Sequence, residues 1–107
     1  MTADDRALPE LDPVIHAQAR LRVVATLNVL AEGDEMAFNS LKDLLGMTAG
    51  NLSVHLTKLE EAGYVAINKT HRGRTPVTFA RLTKRGRLAF EDYTAAIRTL
   101  LDNAGGS

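Results

Sequence analysis

Positive charge without neighbouring acid is the most concentrated chemistry in this sequence. From Ala62 to Phe90 stand Lys69, Arg72, Arg74, Arg81, Lys84, Arg85 and Arg87 with no Asp or Glu among them, so all 13 acidic residues lie elsewhere. Ammonium and guanidinium groups gathered in this way suit phosphate oxygens, and each backbone phosphate they neutralise releases a counterion. The formal net charge of zero argues, taken alone, against a polyanion as partner. A neutral chain can nonetheless collect its positive charge on one surface and leave the acids on another. A solvated charge run is the competing reading, and only the surrounding elements can decide between the two. Other chemistries lack their residues. The chain has no cysteine, which removes disulfides and thiolate metal sites, and its 3 histidines stand far apart, poor material for a zinc site. No phosphate loop, nucleophile beside a base, or pair of carboxylates in a plausible cleft is present, so neither an enzyme nor a cofactor is expected.

The element that must accompany such a basic segment is Thr48 to Gly63, TAGNLSVHLTKLEEAG. Leu52, Leu56 and Leu59 recur at i, i+4 and i+7, one apolar stripe that requires burial. Asn51, Val54, Thr57, Lys58 and Glu61 fall on the far side at about 100° per residue, with Ser53 and His55 at the boundary. Thr48 is placed to cap the first amides and Gly63 to take the left-handed conformation after the last turn. A docked helix with a polar outer face is what a DNA major groove admits.

Around that helix, the 107 residues and 45% apolar content predict one domain with one core. No apolar run approaches the roughly 18 residues of a membrane span, and the first residues lack the apolar stretch of a secretory signal, so a cytoplasmic location is expected. Residues 1 to 10 read as a loose arm. Asp12-Pro13 starts a helix predicted to run to about Ala31, with Val23, Val24, Leu27 and Leu30 as its inner stripe. Asp34 to Phe38 is compatible with a brief strand or an extended connection. Asn39 or Ser40 then caps a short helix carrying Leu41, Leu44 and Leu45, with Ser40 and Asp43 at capping-box spacing, and Gly46 ends it. The tight Gly46-Met47 link makes residues 40–63 a helix-turn-helix, although a plain helical hairpin in a bundle has the same pattern. The segment after Gly63 favours the helix-turn-helix. Tyr64 to Lys69 and Val77 to Leu82 alternate as strands, joined by THRGRTP, where Gly73 suits a turn and Pro76 stops one strand: a hairpin with a basic tip over 64–82. Thr83 caps a last helix, 84–102. There Phe90, Tyr93, Ile97 and Leu100 follow a heptad-like spacing, and residues 103–107 read as a tail.

Taken together, NLSVHLTKLEEAGYV, the basic hairpin and LTKRGRLAF resemble the winged helix-turn-helix transcriptional regulators of bacteria and archaea, of the MarR and ArsR kind. The likeness covers about residues 12 to 101 and is nearest to small stand-alone winged-helix domains with an Arg-Leu-Arg helix before the motif, here Arg20-Leu21-Arg22. It implies a mainly α fold with a small antiparallel hairpin, dimerised through the C-terminal helix, that binds double-stranded DNA and regulates transcription, as a repressor. By the same resemblance Thr48, Asn51, Ser53, Val54, His55, Thr57 and Lys58 contact DNA from the recognition helix, and Lys69, Arg72, Arg74 and Thr75 from the wing. The dimer interface expected is Phe90, Tyr93, Ile97 and Leu100, joined by Leu11 and Ile15. Without cysteine the chain does not sense metals through thiolates, and it is shorter than MarR-like members whose extra helices frame a ligand crevice. No small-molecule effector is assigned. A winged-helix protein-interaction or assembly module without DNA binding is the alternative; the acid-free window disfavours it.

Several residues stay open between two roles. Asn51 and Ser53 meet base edges or phosphates, or else solvate the first turn; Lys58 meets phosphate or pairs with Glu61; His55 is a phosphate donor or a packed imidazole. Arg20 and Arg22 are surface residues or backbone contacts. The seam from Phe90 to Leu100 spans under three heptads and also fits packing inside its own monomer.

Overall fold

The computed structural model describes residues 10–105; all but the last residue of the expected N-terminal arm, and the last two of the expected tail, lie outside them. Asp12 opens helix α1 (Pro13–His16), its carboxylate accepting from the amides of Val14 at 2.9 Å and Ile15 at 3.4 Å. The predicted single helix to Ala31 is in fact two. Ala17 turns extended, with ψ of 127°, before helix α2 (Gln18–Asn28). Alanine gives no local reason to leave a helix. The bend is held by tertiary contacts on either side of it, His16 Nδ1 to the Tyr93 hydroxyl at 3.0 Å and Arg20 Nε donating to the Val14 carbonyl at 2.7 Å.

The brief strand forms as β1 (Met36–Ala37) and leads without a loop into helix α3 (Phe38–Leu45). Because α3 begins before Asn39, neither Asn39 nor Ser40 caps it; the capping residue is Ala37, without a side-chain bond, and Asp43 pairs with Lys42 at 2.9 Å. Gly46, at φ 65°, closes α3 with the left-handed turn that joins it to helix α4 (Ala49–Glu61), so the helix-turn-helix stands as expected. Strands β2 (Val65–Arg72) and β3 (Thr75–Leu82) come next, then helix α5 (Lys84–Gly105), which extends past the predicted end.

The sheet has the order β1-β3-β2, all antiparallel, with Met36 opposite Ala80, Val65 opposite Leu82 and Arg72 opposite Thr75. The two long strands run further toward the tip than their apolar alternation indicated, leaving a two-residue turn at Gly73-Arg74. Gly73 has φ 66° and Arg74 does not have positive φ, which fits the type II′ turn that matches strand twist. Pro76 does not stop β3 but lies within it, paired with His71. β1 reaches β3 only at Phe79 and Ala80, so at Pro76 one side of β3 is an open edge, where a residue without an N–H is tolerated.

One core holds these elements: Val23, Val24 and Leu27 of α2, Leu41 and Leu45 of α3, Leu52, Leu56 and Leu59 of α4, and Val65, Ala80 and Leu82 of the sheet. Burying each of these valines and leucines contributes roughly 1.5–3 kcal/mol. Gly86 lets α5 join that core. A Cβ there would lie 2.1 Å from the Tyr64 carbonyl oxygen, so only glycine allows the first turn of α5 to cross the chain between α4 and β2. Arg87 completes the junction, donating to the Asn28 carbonyl and side-chain oxygens at 3.3 and 3.2 Å and to the Leu30 carbonyl at 2.8 Å, which satisfies the end of α2.

Two residues of the expected dimer interface are enclosed by their own chain. Ile15 is fully buried and Tyr93 is 6% exposed, because α1 folds back to meet α5 through the His16 to Tyr93 bond. Phe90 packs against the core, whereas Ile97 and Leu100 are not among the residues of or against it. Leu11 is half-buried beside Tyr93. The seam therefore divides, its first half turned inward and its second half continuing beyond the core along a molecule with extents of 60 × 25 × 22 Å.

Candidate nucleic-acid interface

Helix α4 carries the residues expected to meet DNA on the side that its leucines leave free. Leu52 and Leu59 are fully buried and Leu56 nearly so, and this anchoring turns Asn51, Ser53, Val54, Thr57 and Lys58 to solvent. Thr48 is exposed and already committed locally, its hydroxyl accepting from the Asn51 amide at 3.1 Å. The first turn holds no acid, which keeps the positive end of the helix dipole uncompensated.

His55 is the exception on this face. It is half-buried and its Nδ1 is enclosed without a hydrogen-bond partner. Burial, then the nearby charges of Arg20 and Lys58, lower its pKa from the usual 6.5. One side of its ring thus packs into the fold, and a neutral imidazole has only its other nitrogen to offer a phosphate.

The wing meets this helix across a groove of about 370 Å³ lined by Phe38, Ser53, Leu56, Thr57, Glu60, Ile67, Lys69 and Thr78. Cross-strand partners share a sheet face. Val65, Ile67, Lys69 and His71 therefore align with Leu82, Ala80, Thr78 and Pro76 on the side toward α4, while Asn68, Thr70 and Arg72 align with Phe79, Val77 and Thr75 on the opposite side. Lys69 is thus brought to α4. Arg72, Arg74 and Thr75 are exposed at the far end of the ribbon, two to three strand residues beyond it. Glu60 was not singled out from the sequence, yet Ser53, Thr57 and Glu60 stand at i, i+4 and i+7, a stripe that points them all at the wing.

The acid-free window proves not to be one surface. Arg87 is spent on the end of α2, Arg85 lies 6.0 Å from the centre of the Tyr64 ring, and Lys84 is 3.9 Å from Glu32. Lys69, Arg72, Arg74, Arg81 and Arg85 have no ion pair among the described residues, and of these Lys69, Arg72 and Arg74 stand exposed on the wing. Arg22 likewise serves the fold, donating to the Leu45 carbonyl at 2.7 Å. Among the described residues no group of His, Asp and Glu is arranged to hold a metal ion, and no helix is long and apolar enough to cross a membrane.

Comparison with known proteins agrees with this geometry. A family model described as a winged helix DNA-binding domain matches residues 19–101. An uncharacterized protein of Methanocaldococcus jannaschii is 37% identical over 91 residues, covering 84% of this chain and 95% of its own length. The transcriptional regulator homologue protein from Pyrococcus horikoshii OT3 is similar in structure, with a TM-score of 0.77 at 23% identity over 86% of this chain and 88% of its own. The Mycobacterium tuberculosis transcriptional regulator MOSR, solved in complex with DNA, has a TM-score of 0.65 at 17% identity, covering 89% of this chain, which spans 65% of that regulator's chain. A leucine-anchored helix with its polar side outward, a turn at Gly46 and a basic β-ribbon beside them are the parts of one architecture, and this chain belongs to the winged helix DNA-binding domain family.

Proposed function

We propose that the protein is a homodimeric, sequence-specific DNA-binding transcriptional regulator of the MarR-like kind that represses by occupying an operator, and that it acts by binding alone, without chemistry of its own. Helix α4 enters the major groove and the β2–β3 ribbon runs along the adjacent backbone or minor groove. The observation that carries this reading is the shared groove: Ser53 and Thr57 of α4 and Lys69 of β2 face one another across it, so helix and wing address one surface. The Mycobacterium tuberculosis regulator, whose fold is similar, is solved in complex with DNA, which supports DNA as the partner.

Two copies are proposed because the second half of α5 carries apolar residues beyond the core, Ile97 and Leu100 half-buried and Leu101 exposed. Leu101 is 66% exposed, and Ile97 and Leu100 lie outside the core. Pairing along these residues would set two recognition helices for half-sites about one DNA turn apart, roughly 34–36 Å. Selection of duplexes from a random pool, and then binding of the recovered sequence at increasing salt, tests the reading. A recovered inverted repeat, and affinity falling steeply with salt, are the expected results. Absence of any enriched sequence would overturn it. Light scattering checks the pairing: a dimer is expected for the full chain and a monomer for Ile97→Asp with Leu100→Asp.

A further inference from the structure

Resting on the proposed reading of α4 as a major-groove helix, we infer that Val54 is the base-reading residue at its centre and that it recognises the 5-methyl group of a pyrimidine. At about 100° per residue the mean direction of Leu52, Leu56 and Leu59 is opposed most nearly by Val54 among the residues with sizeable uncharged side chains. Val54 therefore stands at the crest of the free side, 54% exposed. Its surroundings are hydrophilic: Asn51, Ser53, Thr57 and Lys58, all exposed.

An isolated exposed valine is ordinary on a protein surface. Its position here gives it a consequence. Helical side chains lean over the preceding turn, which for Val54 holds Gly50, where nothing lies within 4 Å of the place a Cβ would occupy. The crest of the helix thus presents two methyl groups beside Gly50, where no side chain stands, and the backbone there can approach a groove floor closely. Ser53, Val54, Thr57, Lys58 and Glu61 bound a shallow depression on the same side, with the valine as its apolar member.

A group that neither donates nor accepts hydrogen bonds desolvates whatever polar edge it is pressed against. The floor of the major groove offers donors and acceptors at each base pair and one apolar substituent, the 5-methyl group that thymine carries and cytosine lacks unless methylated. Contact with that methyl buries apolar surface on both sides. Contact with guanine, adenine or unmethylated cytosine strands a polar edge instead. Val54 accordingly favours one pyrimidine position in each half-site and discriminates there without a hydrogen bond.

The test uses the full-length protein and the duplex recovered by selection. Each thymine of the half-site is replaced in turn by uracil, which removes the methyl group alone, and the same position is also filled with cytosine or 5-methylcytosine. Wild type is expected to lose about 4-fold in affinity at one thymine position, the effect of one buried methyl group. Val54→Ser, with unchanged circular dichroism, is expected to bind the thymine and uracil duplexes equally at that position. A gain of 5-methylcytosine over cytosine there assigns the preference to the methyl group from either base; a preference for thymine alone restricts the source to A·T pairs. Uniform binding of every uracil duplex, or a uracil effect that Val54→Ser leaves intact, overturns the inference while the selected sequence still upholds DNA recognition. Failure to select any sequence overturns both.

Discussion

The guanidinium of Arg22 in α2 reaches the carbonyl oxygen of Leu45, the last residue of α3, at 2.7 Å. It satisfies one of the acceptors that every helix leaves open at its end, and it does so at the turn that sets the angle between α3 and α4. A charged donor on a partly solvated carbonyl contributes about 1 kcal/mol. Arg22→Ala should lower the melting temperature by about 4–8 °C, the shift that such a loss produces in a domain of this size. Thermal unfolding monitored by circular dichroism measures it; an unchanged melting temperature would count against a structural role for Arg22.

Gly86→Ala sets two effects against each other. Alanine is favoured over glycine inside a helix by about 1 kcal/mol. The new Cβ, however, would sit 2.1 Å from the Tyr64 carbonyl, which already accepts from the Thr83 amide at 3.0 Å and cannot easily retreat. The clash should win, with a net destabilisation of about 1–3 kcal/mol. Denaturant unfolding should show an earlier midpoint for Gly86→Ala, and a later one would mean that the junction yields more readily than its packing implies.

Acid should loosen α4 through His55. Its pKa is lowered in the fold, by burial first and then by Arg20 and Lys58. Between that lowered value and the ordinary 6.5 the unfolded chain binds more protons than the folded one, so stability rises with pH across this window. The contribution is complete above pH 6.5 and is lost as the pH falls from there through the lowered value. Unfolding measured from pH 8 to 5 should show this loss in the wild type and a flatter profile over the same window in His55→Gln.

The wing cations should act on affinity in proportion to number. Arg72 and Arg74 are exposed at the tip without an ion pair among the described residues. Replacing both by Ala should weaken binding to all duplexes alike and reduce the slope of log affinity against log salt by about 2, roughly one for each phosphate contact removed. Lys69→Ala, removing a cation from the groove beside Ser53 and Thr57, should reduce it by about 1. Unaltered slopes in both variants would place the DNA elsewhere.

Local patterns told much of this in advance. The spacing of Leu52, Leu56 and Leu59 identified the buried side of α4 and hence its free side, because a helix period is a property of adjacent residues. Alternation in Val65 and Ile67, and in Val77 and Phe79, located the strands for the same reason. What stayed hidden depends on parts of the chain far apart. Nothing near Ala17 marks a break, since the contacts that hold it join His16 to Tyr93. Arg22 and Arg87 read as surface charge until the ends of α3 and α2 come within reach of them. His55 could not be assigned from its helical angle, which put it on a boundary; the structure encloses its Nδ1 and leaves the ring half-buried. The heptad-like run on α5 mixed two environments, and only the return of α1 separates Tyr93 from Ile97.

Pro76 has a further effect on how these molecules behave in company. A ribbon projecting from a small domain offers unpaired backbone along its outer strand, and two such ribbons can anneal into a growing sheet. Along the stretch of β3 that β1 leaves uncovered, the pyrrolidine ring supplies no hydrogen for a foreign strand, and Arg72 and Arg74 at the tip repel their counterparts on another molecule. That side of the β2–β3 ribbon is thereby guarded against edge-to-edge pairing, while β2 presents the sheet's other edge.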